Sequence, residues 1–274
     1  MNDIISIISI INDEKIAREF LLRGLSHQTT KFELILIDNK CSSYKSASQA
    51  YNCGGIKANG DYLMFIHQDV LLPSSNWLKE AENTLSTSSN LGLAGVAGML
   101  KPKYINEFEL CARYYSLKKL GMLSFWYRRF GRGNVFHGRN KLPWEGKPIS
   151  EIVYVQTVDE QLLIVPSNVF DHMQFDETAC NSWHLHGVEY SLAISEKGYK
   201  VYVLPCPVFH LSTGKTGESY YETLTKIIKK HRHEKVINTT CGLWLTNQKL
   251  TKFLFYEFKK TPISKIISLM KKRT

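Results

Sequence analysis

No apolar run in this chain of 274 residues is long enough to span a bilayer, so its hydrophobic residues, 43% of the total, point to a globular core. The six cysteines (Cys41, Cys53, Cys111, Cys180, Cys206 and Cys241) include no Cys-x-x-Cys pair. That argues against a zinc site or a disulfide framework and favours reduced, packed thiols. The opening Met1-Asn2-Asp3 lacks the basic segment of a signal peptide, and the expected location is cytoplasmic. Neither a Gly-x-Gly-x-x-Gly nor a P-loop follows the first apolar run. Ile11-Asn12-Asp13-Glu14 stands there instead, which counts against a dinucleotide oxidoreductase and a P-loop NTPase. The Gly-x-Ser-x-Gly elbow of α/β-hydrolases is missing too.

Acidic charge is also short: 25 Asp and Glu face 35 Lys and Arg, a net +10. From Lys249 to Thr274 eight basic residues accompany one acid, so +7 of that charge lies in the tail. Such a tail suits an anionic partner, and nucleic acid is disfavoured because no recognisable nucleic-acid module accompanies it. Phe253, Leu254, Phe255, Tyr256 and Phe258 cluster beside lysines, and Ile263, Ile266, Ile267 and Met270 recur at helical spacing. That pattern fits a helix lying in an anionic membrane interface at the inner face of the cell membrane, or one packed on the domain.

What is present is an alternation of strands and helices. Ile4–Ile11 reads as a buried strand, Glu14–Leu25 as a helix, Phe32–Ile37 as a strand, Ser46–Cys53 as a helix and Tyr62–Ile66 as a strand. Trp77–Leu85 follows as a helix and Leu93–Met99 as a strand. Residues 101–150, rich in Tyr, Trp, Arg and Gly, read as an insertion or long loop. Ile152–Val155, Gln161–Val165, Lys200–Leu204 and Pro207–His210 read as strands, and Gly187–Lys197 as a helix. The chain from about Tyr220 reads as helical and basic. The order implies one α/β domain around a mostly parallel sheet with helices on both faces.

Three segments carry candidate chemistry. In Phe65-Ile66-His67-Gln68-Asp69, an imidazole and a carboxylate two residues apart stand at the carboxyl end of a strand, the edge where open α/β sheets bind ligands. Gln174–Glu177 and Trp183–Glu189 gather acids, histidines and an aromatic before a helix, a setting for a general base. In Val208–Gly214, His210 directly follows a short strand. Taken singly, each segment could equally be a cap, a turn or a buried histidine.

In their order, these segments resemble the family-2 glycosyltransferases, most closely a bacterial subgroup with His-Gln-Asp in place of Asp-x-Asp. The matching stretches are Ser9–Asp13, Leu36–Asn39, Ala50–Gly55, Phe65–Val70, Phe175–Glu177, Trp183-His184 and Val208–Gly214. The resemblance implies a GT-A fold over residues 1–219: a donor half (1–100), an insertion or acceptor loop (101–150) and an acceptor half (151–219). A basic helical extension (220–274) would follow. It further implies a nucleotide-sugar donor, UDP-linked by preference, and Mn²⁺ or Mg²⁺. The acceptor would be a saccharide or lipid-linked saccharide, and the transfer would invert the anomeric centre. By analogy Ile11, Asp13 and Asp38 would hold the nucleotide base, and Asn52 and Gly55 would lie near ribose and diphosphate. Asp69 with His67 would hold the metal, and His210 would be a late ligand. The family usually carries an acid, commonly the base, where Gly187 stands here, and another where Glu189 stands. The candidates for the base are then Glu189, His184, His186 and Asp159, with Glu189 favoured and His184 next. The alternatives are a catalytically impaired nucleotide-sugar binding protein and a nucleotidyltransferase.

Overall fold

Strict alternation of apolar side chains sets how the central sheet sits, since successive residues of a strand face opposite sides. The computed structural model describes residues 4–103, 128–144, 146–212 and 217–247. In β1 (Ile5–Ile11), Ile5, Ile7 and Ile11 enter one core and Ile8 the opposite one. In β3 (Tyr62–Ile66), Met64 and Ile66 join the first core, Leu63 and Phe65 the second. In β12 (Leu162–Pro166), Leu162 and Ile164 divide from Leu163 and Val165 in the same way.

These strands lie in a seven-stranded sheet ordered β10 (Val153–Tyr154), β13 (Lys200–Val203), β5 (Leu91–Gly95), β12, β3, β1 and β2 (Phe32–Asp38). Five strands share one direction; β12 and β10 are reversed. On one face pack the helical segment formed by Glu14–Ala17, a π turn at Arg18–Leu22 and Arg23–Leu25, together with the helix Trp77–Ser86. On the other pack the helices Ala47–Gly55, Ser167–His172 and His186–Glu196. Two N-caps fix where helices begin: Asp13 accepts from the Ile16 amide at 3.0 Å and Ser46 from the Gln49 amide at 3.2 Å.

Three expectations need correction. The stretch Leu93–Met99 is two strands, because β6 (Ala97–Met99) leaves the main sheet to pair with β7 (Gly131–Gly133) and β11 (Thr157–Val158). The insertion is more than a loop. Its described part supplies β7, β8 (Val135–His137) and β9 (Leu142–Pro143), and β8 and β9 join β4 (Val70–Leu71) and β14 (Val208–His210) in a four-stranded sheet. The C-terminal region is not wholly helical. The helix Glu218–Lys230 is followed by an antiparallel hairpin, β15 (Val236–Thr239) and β16 (Gly242–Leu245). Gln156 pins the hairpin through Val236 and Asn238, and Tyr220, Leu224 and Ile227 pack on Leu185, Val188 and Leu192. The candidate membrane segment at 249–274 lies outside the described residues.

Gly55 is held to glycine by a close approach: a Cβ there would lie 2.5 Å from two ring carbons of Phe170. Gly55→Ala is therefore expected to lower unfolding free energy by about 1–3 kcal/mol through overpacking. Urea denaturation should show a lower midpoint at an unchanged slope, and an unshifted midpoint would mean that Phe170 yields without cost.

Candidate active site at the strand ends

β3 ends at Ile66, and His67, Gln68 and Asp69 form the turn into β4. The His67 amide donates to the Gln161 carbonyl at 3.0 Å, tying this turn to the start of β12. Gln68 Oε1 accepts from the amides of Asn12 and Asp13, both at 3.0 Å, so the loop after β1 is clamped to the same turn. Asp69 Oδ2 accepts from the Ser212 amide at 3.1 Å, and the Asp69 carbonyl from the Leu211 amide at 3.0 Å. β14 pairs antiparallel with β4 and parallel with β8, which sets His210 opposite Val70 on one side and His137 on the other.

Three side chains converge as a result. One ligand atom each from His67, Asp69 and His210 lies within 4.8 Å of the others. The His210 ring is 5.7 Å from that of His67 and 5.4 Å from that of His137. Burial, reinforced by nearby His210, holds the His67 imidazole down at about 4, so it is neutral at physiological pH. Burial acts to raise Asp69, but contacts with His210, His67 and the Ser212 amide outweigh it and hold the carboxyl at about 2. Both ring nitrogens of His210 are buried without hydrogen-bond geometry to any described residue, although Nε2 is 3.3 Å from Asp69 Oδ1. A neutral imidazole at His67 beside an ionised carboxylate, with the orphaned ring nitrogens of His210, is a donor set that fits a divalent cation.

The cluster opens on a cavity of about 300 Å³ lined by Asn12, Ile16, Tyr51, His67, Gln68, Asp69, Trp183 and Ser212 among others. Trp183 is 41% exposed there. A neighbouring cavity of about 260 Å³ lies between Ile11, Glu14, Arg18, Leu36, Asp38 and Lys40. Lys40 joins Glu14 at 2.6 Å and Asp38 at 3.2 Å, and its amide and ammonium lower the Asp38 carboxyl.

Behind Tyr51 stands a second titratable group. The Tyr51 ring is 5.5 Å from that of His186, whose Nδ1 is 3.3 Å from Glu160 Oε2. Burial lowers His186 to about 3. Burial and the charge of Asp159 push Glu160 up to about 8, against the opposing pull of the Leu185, Gly187 and His186 amides. Just before this helix Leu185 adopts φ +66°, a left-handed conformation that costs a non-glycine residue on the order of 1–3 kcal/mol.

A profile of a glycosyltransferase-like family matches residues 6–236, most of the chain. The protein belongs to that family. Among solved structures, the mannosyltransferase PcManGT of Pyrobaculum calidifontis, in complex with GDP-Man and Mn²⁺, superposes with a TM-score of 0.52 at 10% identity. The match covers 85% of this chain and 65% of that one. GalNAc-T7, solved with UDP, GalNAc and Mn²⁺, gives 0.54 at 11% identity, covering 83% and 48%. The chain thus spans between about half and two thirds of the length of these proteins, and at such identities the likeness is one of fold, the GT-A arrangement that the sequence leads one to expect. A search of curated proteins found no match.

The structure of this glycosyltransferase-family member brings some expected site residues together and sets others apart. His67, Asp69 and His210 meet, and Ile11 and Asp38 line one cavity as strand partners. Asp13 serves as a helix cap and as a partner of Gln68. Asn52 is engaged internally: it bonds the Phe175 backbone twice, both at 2.9 Å, and Glu177 at 2.9 Å. Gly55 faces Phe170, and neither Asn52 nor Gly55 lines the two cavities described. His184 packs its ring 5.8 Å from Tyr220. Glu189, the favoured base, has a side chain only 2% exposed, 2.6 Å from Lys230 Nζ and 3.3 Å from His231 Nε2, so its carboxylate is engaged by those two groups. Asp159 accepts from Gln161 and Thr240. Sequence reasoning missed His137 and Glu160. His137 lies in the unassigned insertion, and Glu160 is adjacent to an assigned strand but carries no local motif.

His231 yields a pH prediction. Burial lowers its pKa, but Glu189 and Glu196 more than compensate, and the folded value is raised above 6.5. Its contribution is therefore complete below about 6.5 and lost as pH rises through the higher folded value. Denaturant midpoints across that range should fall with pH, and Glu189→Gln should cost about 1–3 kcal/mol at low pH and flatten the slope. A variant as stable and as pH-dependent as the parent would remove the pair from the fold's supports.

Proposed function

We propose that this chain transfers a sugar from a nucleoside-diphosphate sugar, UDP-linked by preference, to an acceptor hydroxyl, with a divalent metal at the end of β3. The observation that carries this reading is the convergence of His67, Asp69 and His210, the first two of which line a cavity beside the loop clamped by Gln68. Two imidazoles with one carboxylate suit Mn²⁺ better than Mg²⁺, which favours all-oxygen sites. A bound Mn²⁺ supplies charge stabilisation for the diphosphate. The Mn²⁺ complexes of PcManGT and GalNAc-T7 support the same choice. Asp69 contributes the cluster's fixed negative charge, and the strand pairing of β14 with β4 holds His210 beside it. Ile11 and Asp38 form the wall against which a nucleobase would rest, and Lys40 orients Asp38. Trp183 offers an apolar face to a sugar ring at the cavity mouth. We assign the reaction to polysaccharide biosynthesis with inversion at the anomeric carbon.

Asp69→Ala should abolish Mn²⁺-dependent binding of UDP, because it removes the only carboxylate of the cluster, whereas His67→Ala and His210→Ala should weaken it less. Isothermal titration with UDP, with Mn²⁺ and with EDTA, measures this. Unchanged affinity in Asp69→Ala would move the metal elsewhere.

The acceptor we favour is lipid-linked, on the strength of the net +7 over Lys249–Thr274 and its apolar spacing. No helix among the described residues is long and apolar enough to cross a membrane. Each basic residue near an anionic leaflet contributes about 1 kcal/mol, so several hold a protein at the surface. In flotation with phosphatidylserine vesicles, the full chain should float and a chain ending at Gln248 should not. Full-length protein that ignores such vesicles at low salt would end the membrane proposal.

A further inference from the structure

We propose that Glu160 is the general base of the transfer, reaching the acceptor hydroxyl from the start of β12 past the glycine at the head of the His186–Glu196 helix. The inference rests on the glycosyltransferase reading above and adds to it the residue that receives the proton.

Position comes first. Glu160 immediately precedes Gln161, whose carbonyl accepts the His67 amide, so its backbone stands at the strand end that carries the cluster; its carboxylate acts electrostatically on Tyr51, as Asp69 does, and Tyr51 lines the same cavity. Its side chain is 21% exposed, yet Oε2 is buried with no hydrogen-bond partner among the described residues and sits 3.3 Å from His186 Nδ1. A buried carboxylate oxygen left unsatisfied costs stability whatever its role, so its retention calls for an explanation, and a proton acceptor at a substrate site needs a free oxygen of this kind.

Space comes second. At Gly187 a Cβ would lie 3.3 Å from both Cα and Cβ of Glu160. Glycine at the head of the helix thus lets residue 160 occupy ground that a side chain on residue 187 would contest. The helix amides of Leu185, Gly187 and His186 face the carboxylate and favour its ionised form, whereas burial and the Asp159 charge raise its affinity for a proton. With a pKa of about 8 its ionised form is a stronger base than an ordinary carboxylate, and that form becomes the main one as pH rises through this value.

The other titratable groups nearby are committed elsewhere. Asp159 is bonded to Thr240 and Gln161, Glu189 is locked to Lys230 and His231, and His186 is buried between Tyr51 and Phe175. In the step itself, the acceptor O–H bond breaks and its proton passes to the Glu160 carboxylate. The acceptor oxygen forms a bond to the anomeric carbon as the bond from that carbon to the diphosphate oxygen breaks, and the diphosphate leaves with the electron pair. When water is the acceptor, the same step hydrolyses the donor.

The test uses full-length protein, Mn²⁺ and a panel of UDP-glucose, UDP-galactose, UDP-N-acetylglucosamine and GDP-mannose, following release of nucleoside diphosphate. Glu160→Gln keeps an acceptor for the helix amides. It should leave Mn²⁺-dependent UDP binding unchanged and the melting temperature no lower than the parent's, because a buried carboxylate is replaced by a neutral amide, while turnover falls by about 10²–10⁴-fold, the usual worth of a general base. Glu160→Gly should be equally slow, and adding Gly187→Asp to it should restore at least about tenfold by returning a carboxylate to the same ground. A merely structural Glu160 would not respond to this exchange. Turnover in Glu160→Gln within about threefold of the parent overturns the assignment and leaves the glycosyltransferase reading intact. A parent chain that neither binds UDP with Mn²⁺ nor releases nucleoside diphosphate from any donor overturns both.

Discussion

One backbone hydrogen bond, from the His67 amide to the Gln161 carbonyl, joins the outgoing end of β3 to the incoming start of β12, and the geometry of the site follows from that join. Because β12 runs antiparallel between β3 and β5, its first residues, not its last, lie at the edge where the parallel strands end. Asp159, Glu160 and Gln161 are thereby set beside His67 and Asp69. An all-parallel sheet would have sent them to the opposite edge. The small sheet closes the arrangement from the other side, where β14 lies between β4 and β8 and sets His210 opposite Val70 and His137, with its ring 3.3 Å from the Asp69 carboxylate.

Two carboxyl groups on neighbouring strand ends are driven to opposite states. Asp69 has three stabilising contacts and stays ionised far below neutrality; Glu160 has burial and a like charge against it and holds its proton more tightly. Environments that push two acids apart in this way divide labour between a permanent anion and a group that exchanges protons. The histidines follow the same logic, since burial keeps His67 and His186 neutral.

What could be read in the sequence was local. Tyr62–Ile66 and the helical segment 14–25 were legible because hydrophobic periodicity alone specifies them, and His67, Asp69 and His210 because each stands at or just beyond the end of a recognisable strand. What escaped was set by partners distant in sequence. β6 parts from β5 only because Gly131–Gly133 and Thr157–Val158 take it up. Asn52 resembles a ligand contact until Phe175, 123 residues later, proves to satisfy it. Glu189 has the spacing of a site acid, but only the docking of the Glu218–Lys230 helix reveals that Lys230 and His231 claim it. Gly187 and Glu160 are unremarkable singly, and their relation exists only across a helix–strand contact.

The reversal of β12 also has a consequence for the order in which the molecule assembles. The pairings of β1 with β2 and β3 close within the first 66 residues, whereas the His67–Gln161 join must wait for a return of the chain from far downstream. Closing that larger loop carries the greater entropic penalty and belongs late in folding. On a ribosome the part of the sheet formed by β2, β1 and β3 can therefore form while the residues from 157 onward are still unmade. The nascent chain would expose the unpaired flank of β3 until β12 arrives, so the stretch between them is where assistance by a chaperone would matter most.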